Sequence, residues 1–296
     1  MAVPNRAGSL VTATAFLLLV VLAAACSSPA QVAVFQVPPG PSRMVPLTAD
    51  VPVITSRLRA LGDTGATVAV NGSSIVVTGG GPLPAPASFF VKTGRVTFRQ
   101  VLCGAPAYSP STGAPSPPGP LPACGEQYRT SAANLGLFPH DGVVGVGDLP
   151  SDPSFAAYPS TSADDADQPS TTVLLPTDRT YGYQLYARMV LGSVQVQGSA
   201  VASAKVQFVD HTWLVECTLT PSGASQWEKA TRADFHEYMA VDVDGLVISS
   251  PLIEPAQATY GSYGDKMQIA GDLNKSRAEQ LAALLESGPL PAPLAA

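Results

Sequence analysis

The side chains with which this sequence could break bonds or hold a metal are few: four cysteines and three histidines. Cys103 and Cys124 bracket a proline-rich stretch. In an oxidising compartment a bridge between them would close that loop and stabilise the fold by about 3 kcal/mol on the chain-entropy estimate. The alternative is two free thiols in a flexible segment. Cys217 lies in the strand-like run Leu214-Val215-Glu216-Cys217-Thr218 and reads as a buried small hydrophobe. His140, His211 and His236 form no i, i+4 pair and accompany no Cys-x-x-Cys, so a zinc site has little support. Asp210-His211 is either half of an acid–base pair or, as such dipeptides more often are, a strand-connecting turn. Asp164-Asp165-Ala166-Asp167 lacks the glycine and distal glutamate of a calcium loop and reads as a solvated loop. Asp242 and Asp244 flank a hairpin turn, which explains them without catalysis. No Gly-x-Ser-x-Gly elbow and no phosphate loop is present. The sequence therefore predicts no catalytic residue, no metal and no cofactor. The aromatics of the second half could line a peptide groove or build a core. Core is the better assignment for Trp213 and Trp227, while Tyr181, Tyr183 and Tyr186 stay unassigned.

Composition narrows the class. The 296 residues are 46% hydrophobic, 13% charged and carry a formal charge of −6, with 29 prolines. A non-specific nucleic-acid binder is excluded, because nothing here neutralises phosphates at scale. No apolar run reaches the roughly 20 residues of a membrane span, which excludes a multi-helix membrane protein. Arg6 followed by the apolar run 10–25 reads as a signal peptide over 1–25. Its end, Leu22-Ala23-Ala24-Ala25-Cys26-Ser27-Ser28, resembles the lipobox of bacterial lipoproteins, in which the cysteine is acylated and becomes the first mature residue. Leu22 stands four residues before Cys26 where three is usual. Ordinary secretion with an unmodified Cys26 is the alternative. Two or more acyl chains would hold the protein on the extracytoplasmic face of the cell membrane.

The elements that must position any site fall in two blocks. Residues 26–42, poor in charge and rich in Pro and Ser, read as a tether. Residues 43–102 read as a strand at 44–47, then a helix capped by Thr48 or Asp50 with Pro52 in its first turn. Its stripe is Ile54, Leu58 and Leu61, and Gly62 is its stop. Two strands follow around Asn71-Gly72, and a third at 95–102. Residues 103–170 are dominated by Pro, Ser, Gly, Ala and Thr and read as a long loop. Beyond it, strands at 203–209 and 212–219 flank Asp210-His211. Thr220-Pro221 opens a helix with Ala224, Trp227 and Thr231 inward, and strands at 238–243 and 246–250 flank Asp244-Gly245. Ser276-Arg277-Ala278-Glu279 fits a capping box, with Ala278, Leu281, Leu284 and Leu285 as the apolar stripe and Gly288-Pro289 as the stop. Residues 291–296 read as a tail.

The ordered series of these segments is similar to the first periplasmic domain of SecD, a subunit of the bacterial preprotein translocase accessory complex. Arg57-Leu58-Arg59-Ala60-Leu61-Gly62, Gly65-Ala66-Thr67-Val68, Gly72-Ser73-Ser74-Ile75-Val76-Val77 and the run from Gly94 to Leu102 resemble its base. Trp213-Leu214-Val215, Leu219-Thr220, Gly223-Ala224, Trp227, Thr231, the run from Val243 to Ile253, Ile269-Ala270-Gly271-Asp272-Leu273 and the segment from Ala278 to Pro291 resemble its head and the return to the base. The resemblance implies an α+β fold: a ferredoxin-like base of helix and antiparallel strands over 43–102, completed by 273–290, plus an α+β head over 171–272. It also implies a non-catalytic role with exported polypeptides or Sec translocase components as partners. The transmembrane helices that follow in SecD have no counterpart here. The competing readings are an envelope scaffold that docks another surface protein and, least supported, an enzyme built around His211.

Overall fold

A computed structural model describes residues 31–37, 45–79, 81–109, 119–129, 151–178, 186–253, 257–292 and 294–295. Cys26, His140, Tyr181 and Tyr183 lie outside the described residues. The fold is α+β, as expected, and all its strand ladders run antiparallel.

The first sheet has the order β1-β3-β2, from β1 (Gln31–Gln36), β2 (Thr67–Asn71) and β3 (Ser74–Gly79). Helix α1 (Val51–Ala60) lays Ile54 and Leu58 in one core with Phe35, Ile75 and Val77. Two expectations change here. Residues 31–36, assigned to the tether, form β1, because Gln31-Val32-Ala33-Val34-Phe35-Gln36 alternates in the strand period and pairs with β3 throughout. The strand expected at 44–47 is absent from the described part of that stretch. Pro46 precedes a 3₁₀ turn at Leu47–Ala49, which proline favours by its fixed φ. The β2–β3 hairpin turns on Gly72-Ser73, one residue later than expected, with Gly72 at φ 59°.

The second sheet runs β10-β9-β4-β6-β5. Its members are β4 (Val96–Ala105), β5 (Val173–Pro176), β6 (Arg188–Gln197), β9 (Met239–Val243) and β10 (Leu246–Ser249). The strand expected to close the base is thus the middle of a sheet whose other members come from the second half of the chain. Central position explains why nearly every β4 residue is buried. The third sheet, β11-β8-β7, consists of β7 (Val201–Val209), β8 (Thr212–Leu219) and β11 (Lys266–Leu273). Asp210-His211 and Asp244-Gly245 are two-residue turns with positive φ at both positions, the geometry that suits the right-handed twist of a hairpin. Helix α4 (Pro221–Ala233) is capped by Thr220, whose Oγ1 accepts from Gly223 N at 3.0 Å. The last helix, α5 (Lys275–Ser287), is capped by Asn274 and not by the expected Ser276–Glu279 box. It starts one residue before Ser276, so the serine is already inside the helix. Ala278, Leu281, Leu284 and Leu285 are buried as expected. The residues expected as a tail return to the fold. Leu294 is buried, and Ala295 exchanges two 2.8 Å backbone bonds with Gln36.

Arg57 joins these pieces. It is fully buried on α1, at the position that completes the stripe of Ile54 and Leu58. Its Nη1 donates to the carbonyls of Phe89, Phe90 and Lys92, at the end of α2 (Ala87–Val91). Its Nη2 donates to the carbonyls of Thr93 and Gly288, and Nε to Ser287 Oγ, at the end of α5. Helix C-termini leave unpaired carbonyls and partial negative charge, and one guanidinium satisfies two such ends. Burial lowers its pKa to about 10, with Asp244 and Asp50 opposing, so it stays charged at neutral pH. Gly94, at φ 73°, must be glycine, because a Cβ there would collide with Arg57 Nη2 and Leu284 Cδ2. Arg57→Met keeps the apolar stem and orphans the carbonyls. It is expected to cost about 3–5 kcal/mol in urea unfolding, as broken buried charge networks do. Arg57→Lys should recover little of that loss, since an ammonium cannot reproduce the fork.

Candidate functional site

The strongest candidate is built on the far half of β4. That strand pairs with β9 only over Val96–Gln100, where β9 ends. Beyond that point its free edge is covered by a strap, residues 119–129. Cys103 is disulfide-bonded to Cys124, with Cα atoms 6.0 Å apart, and also forms an isolated antiparallel bridge with Arg129. The strap stands off the sheet and leaves a cavity of about 590 Å³, lined among others by Gln100, Leu102, Leu121, Cys124, Arg129 and Glu237. Leu102 and Leu121 supply apolar surface, and Gln100, Arg129 and Glu237 supply polar groups. Glu126, also on the wall, pairs with Arg129 at 3.1 Å. Cys124, the cysteine on the wall, is held in the disulfide, and the wall also carries the Thr172 hydroxyl and the Glu126 and Glu237 carboxylates.

A second buried arginine holds the loop behind the strap. Arg188, on β6, donates to the carbonyls of Pro106, Tyr158 and Phe155. Phe155 is fully buried against Cys103, Ala105, Leu174 and Val190. Part of the stretch expected as a loop at 103–170 is therefore packed core. A third arginine, Arg99 in the middle of β4, is fully buried and donates to the carbonyls of Ala166, Gln168, Thr171 and Gly192. Its Nε lies 3.9 Å from Asp242 Oδ2. Burial pushes the Asp242 carboxyl up, opposed by hydrogen bonds from Thr97 and Gly245 and by the Arg99 charge. These three arginines were not singled out in the sequence. The available signal was their position, at i+3 on an apolar helix face for Arg57 and within β-branched or apolar strand runs for the other two.

The other candidate residues do not converge. His211 occupies its turn at φ 65°, exposed, with its ring 6.4 Å from Phe208. Asp164 and Asp165 start the short helix α3 (Ala163–Ala166), where Ser162 Oγ accepts from Asp165 N, and Asp167 is ion-paired with Arg95. Among the described residues no group of three His, Cys, Asp or Glu side chains could hold a metal ion. Asp244 does more than turn the chain: its carboxylate accepts from Gly94 N at 2.9 Å and Arg95 N at 2.8 Å, fixing the entry to β4. His236 Nε2 lies 2.7 Å from Gln257 O, and its ring stacks on Phe235. Cys217 is fully buried and its thiol is pushed up to about 12 by burial, so it behaves as the small hydrophobe expected. Trp227 is core, edge-on to Phe98, whereas Trp213 is half-buried beside exposed Phe208. Tyr186 is buried, and its ring lies so close to Gly104 that any Cβ there would overlap it.

Residues 174–292 match the sequence model of the SecDF P1 head subdomain. The protein translocase subunit SecD of Endomicrobium trichonymphae is 33% identical over 107 residues, which is 36% of this chain and 22% of that protein. The SecD subunit of Syntrophobacter fumaroxidans is 32% identical over 133 residues, 43% of this chain and 24% of that protein. The SecDF subunit of Thermus thermophilus is 32% identical over 105 residues, 35% of this chain and 14% of that protein. The matches thus span about a quarter or less of the length of these relatives. A crystal structure of SecDF in a super-membrane-facing form superposes on 90% of this chain and 29% of its own, with a TM-score of 0.51 at 20% identity, which shows a shared fold. The resemblance to the first periplasmic domain of SecD therefore holds, in sequence over the second half and in fold over most of the chain.

Two measurements test the site's construction. Replacing Cys103 and Cys124 by alanine, or reducing them, should lower unfolding stability by about 3 kcal/mol. The same change should expose Leu102 and Leu121 to a dye that binds apolar surface. Asp234 follows α4 as its C-cap, buried, with Oδ2 lacking a hydrogen-bond partner among the described residues. Burial pushes its carboxyl up to about 6, with Gln195 opposing. The folded protein then holds a proton that the unfolded chain has released, so this group's stabilisation is present below its unfolded value near 4 and is lost as pH rises through about 6. Asp234→Asn should flatten the pH dependence of the urea midpoint across that window.

Proposed function

We propose that this chain, with its SecD-like periplasmic fold, works outside the membrane as an acyl-anchored binding protein for exported polypeptides or translocase subunits, and catalyses no reaction. The match of residues 174–292 to the SecDF P1 head subdomain is the observation that carries this reading. The geometry is consistent with it: a disulfide-strapped cavity lined by both apolar and polar side chains, and a set of candidate acid, base and metal residues dispersed over separate turns. In this reading residues 1–25 are removed on export, Cys26 is acylated, and a base that begins with β1 and is completed by 273–290 carries a head drawn from 171–272 together with β4. Among the described residues no helix is long and apolar enough to cross a membrane. The anchor is assigned to Cys26 from the lipobox-like run Leu22–Ser28.

Photo-crosslinking residues placed at Leu121 and Glu237, on the cavity wall, test the partner in cells. Adducts with Sec translocase subunits or with secreted chains in transit are expected. A single folded surface protein as the sole adduct overturns this reading in favour of an envelope scaffold. In parallel, Cys26→Ser should abolish incorporation of labelled palmitate and release the protein from membranes. Continued labelling would place the acyl group elsewhere.

A further inference from the structure

The sequence leaves a tether of 26–42 between the anchor and the fold, but the structure shortens it. β1 begins at Gln31, five residues after Cys26, and each of its six residues is paired with β3. A fully extended link of that length reaches at most about 18 Å, against about 55 Å for the link expected from sequence. The β1-β3-β2 sheet is consequently confined to the membrane surface once Cys26 is acylated.

The register shows which face of that sheet points away from the core. Phe35, Ile75 and Val77 point inward and are buried under α1. Val32, paired with Thr78, and Val34, paired with Val76, point to the opposite side, together with Thr67 and Ala69 of β2. Val32 is 59% exposed and Val34 44%. No charged side chain is among these six, although strands facing water usually carry charge against unwanted pairing. We infer that this outward face of the β1-β3-β2 sheet rests on the lipid surface, with Val32 and Val34 at the headgroup–acyl boundary. The inference relies on acylation of Cys26. Its chemistry is apolar contact at an interface, so it requires no anionic lipid and resists salt.

The test uses the full acylated chain in phosphatidylcholine vesicles that contain a headgroup-proximal nitroxide lipid. A fluorophore is attached at Val34→Cys or, as comparison, at Arg59→Cys, which is exposed on α1 on the far side of the sheet. Cys217 is buried and Cys103 and Cys124 are bridged, so the new thiol takes the label. Quenching at position 34 is expected to exceed that at 59 by about threefold, given the roughly 10 Å layer between them, and to persist in 1 M salt. Vesicle flotation separates the two premises. A protein that fails to float removes the anchor and this inference with it. A protein that floats while both probes quench alike, or whose probe at 34 is shielded from lipid by a second copy or a bound chain, overturns the lipid-facing sheet and leaves the anchor standing.

Discussion

A guanidinium taken out of water must be surrounded by acceptors, and that requirement organises this fold. Arg57, Arg99 and Arg188 are all buried, and their hydrogen bonds go almost entirely to backbone carbonyls. Apart from Gly192 on β6, these carbonyls belong to helix ends and irregular segments, which strand ladders cannot satisfy. Each arginine therefore sits on a regular element and gathers the loops around it. Arg57 draws together the ends of α2 and α5, Arg99 the turn after α3, and Arg188 the segment behind the strap. Neutral side chains of equal size would fill the same volume and leave several buried carbonyls unpaired, so the charge is kept even though desolvation lowers each guanidinium's pKa.

The same logic explains why a chain so rich in proline can still have fixed architecture. Proline removes backbone donors and leaves carbonyls in excess, and an arginine supplies five donors in one plane. Pro106 O accepts from Arg188 Nε at 2.7 Å. The Cys103–Cys124 bridge then fixes the strap against the part of β4 that has lost its neighbour on one edge, since the ladder with β9 ends at the Gln100–Met239 pair. Covalent and ionic fastening thus replaces strand pairing where the sequence is too poor in apolar residues to bury itself.

Local features were legible in the sequence and remote ones were not. Asp244-Gly245 and Asp210-His211 announce hairpins because a two-residue turn with positive φ at both positions demands such residue types. Thr220-Pro221 and Gly288 mark helix ends through groups within four residues of themselves. β1 was hidden by its surroundings of Pro and Ser, and only its pairing with β3, some forty residues on, makes it a strand. β5, β6 and β11 carry no turn dipeptide of their own and are fixed by long-range ladders. Arg57 and Arg99 look like ordinary basic residues because a charge in a pattern reads as a solvent position. Their burial depends on carbonyls contributed from elsewhere in the chain. The cavity shares that character: its floor, rim and strap come from segments at 100–102, 121–129 and 237, and no one of them suggests a pocket.

The strap's order depends on the redox state of its surroundings. Without the Cys103–Cys124 bond, residues 119–129 keep an isolated bridge at Arg129, a hydrogen bond from Gly125 N to Asp152 and side-chain packing of Leu121 and Tyr128. Those contacts must then offset the ordering entropy of a segment rich in Pro and Gly. In a reducing cytosol the thiols would stay apart, and the cavity wall would lack the covalent link that holds it to β4. The bond closes the loop and holds Leu121 and Arg129 on the wall of the cavity that Leu102 and Gln100 also line. In the proposed extracytoplasmic role the same passage across the membrane would complete this surface, which would make the disulfide part of the binding architecture as well as of the stability.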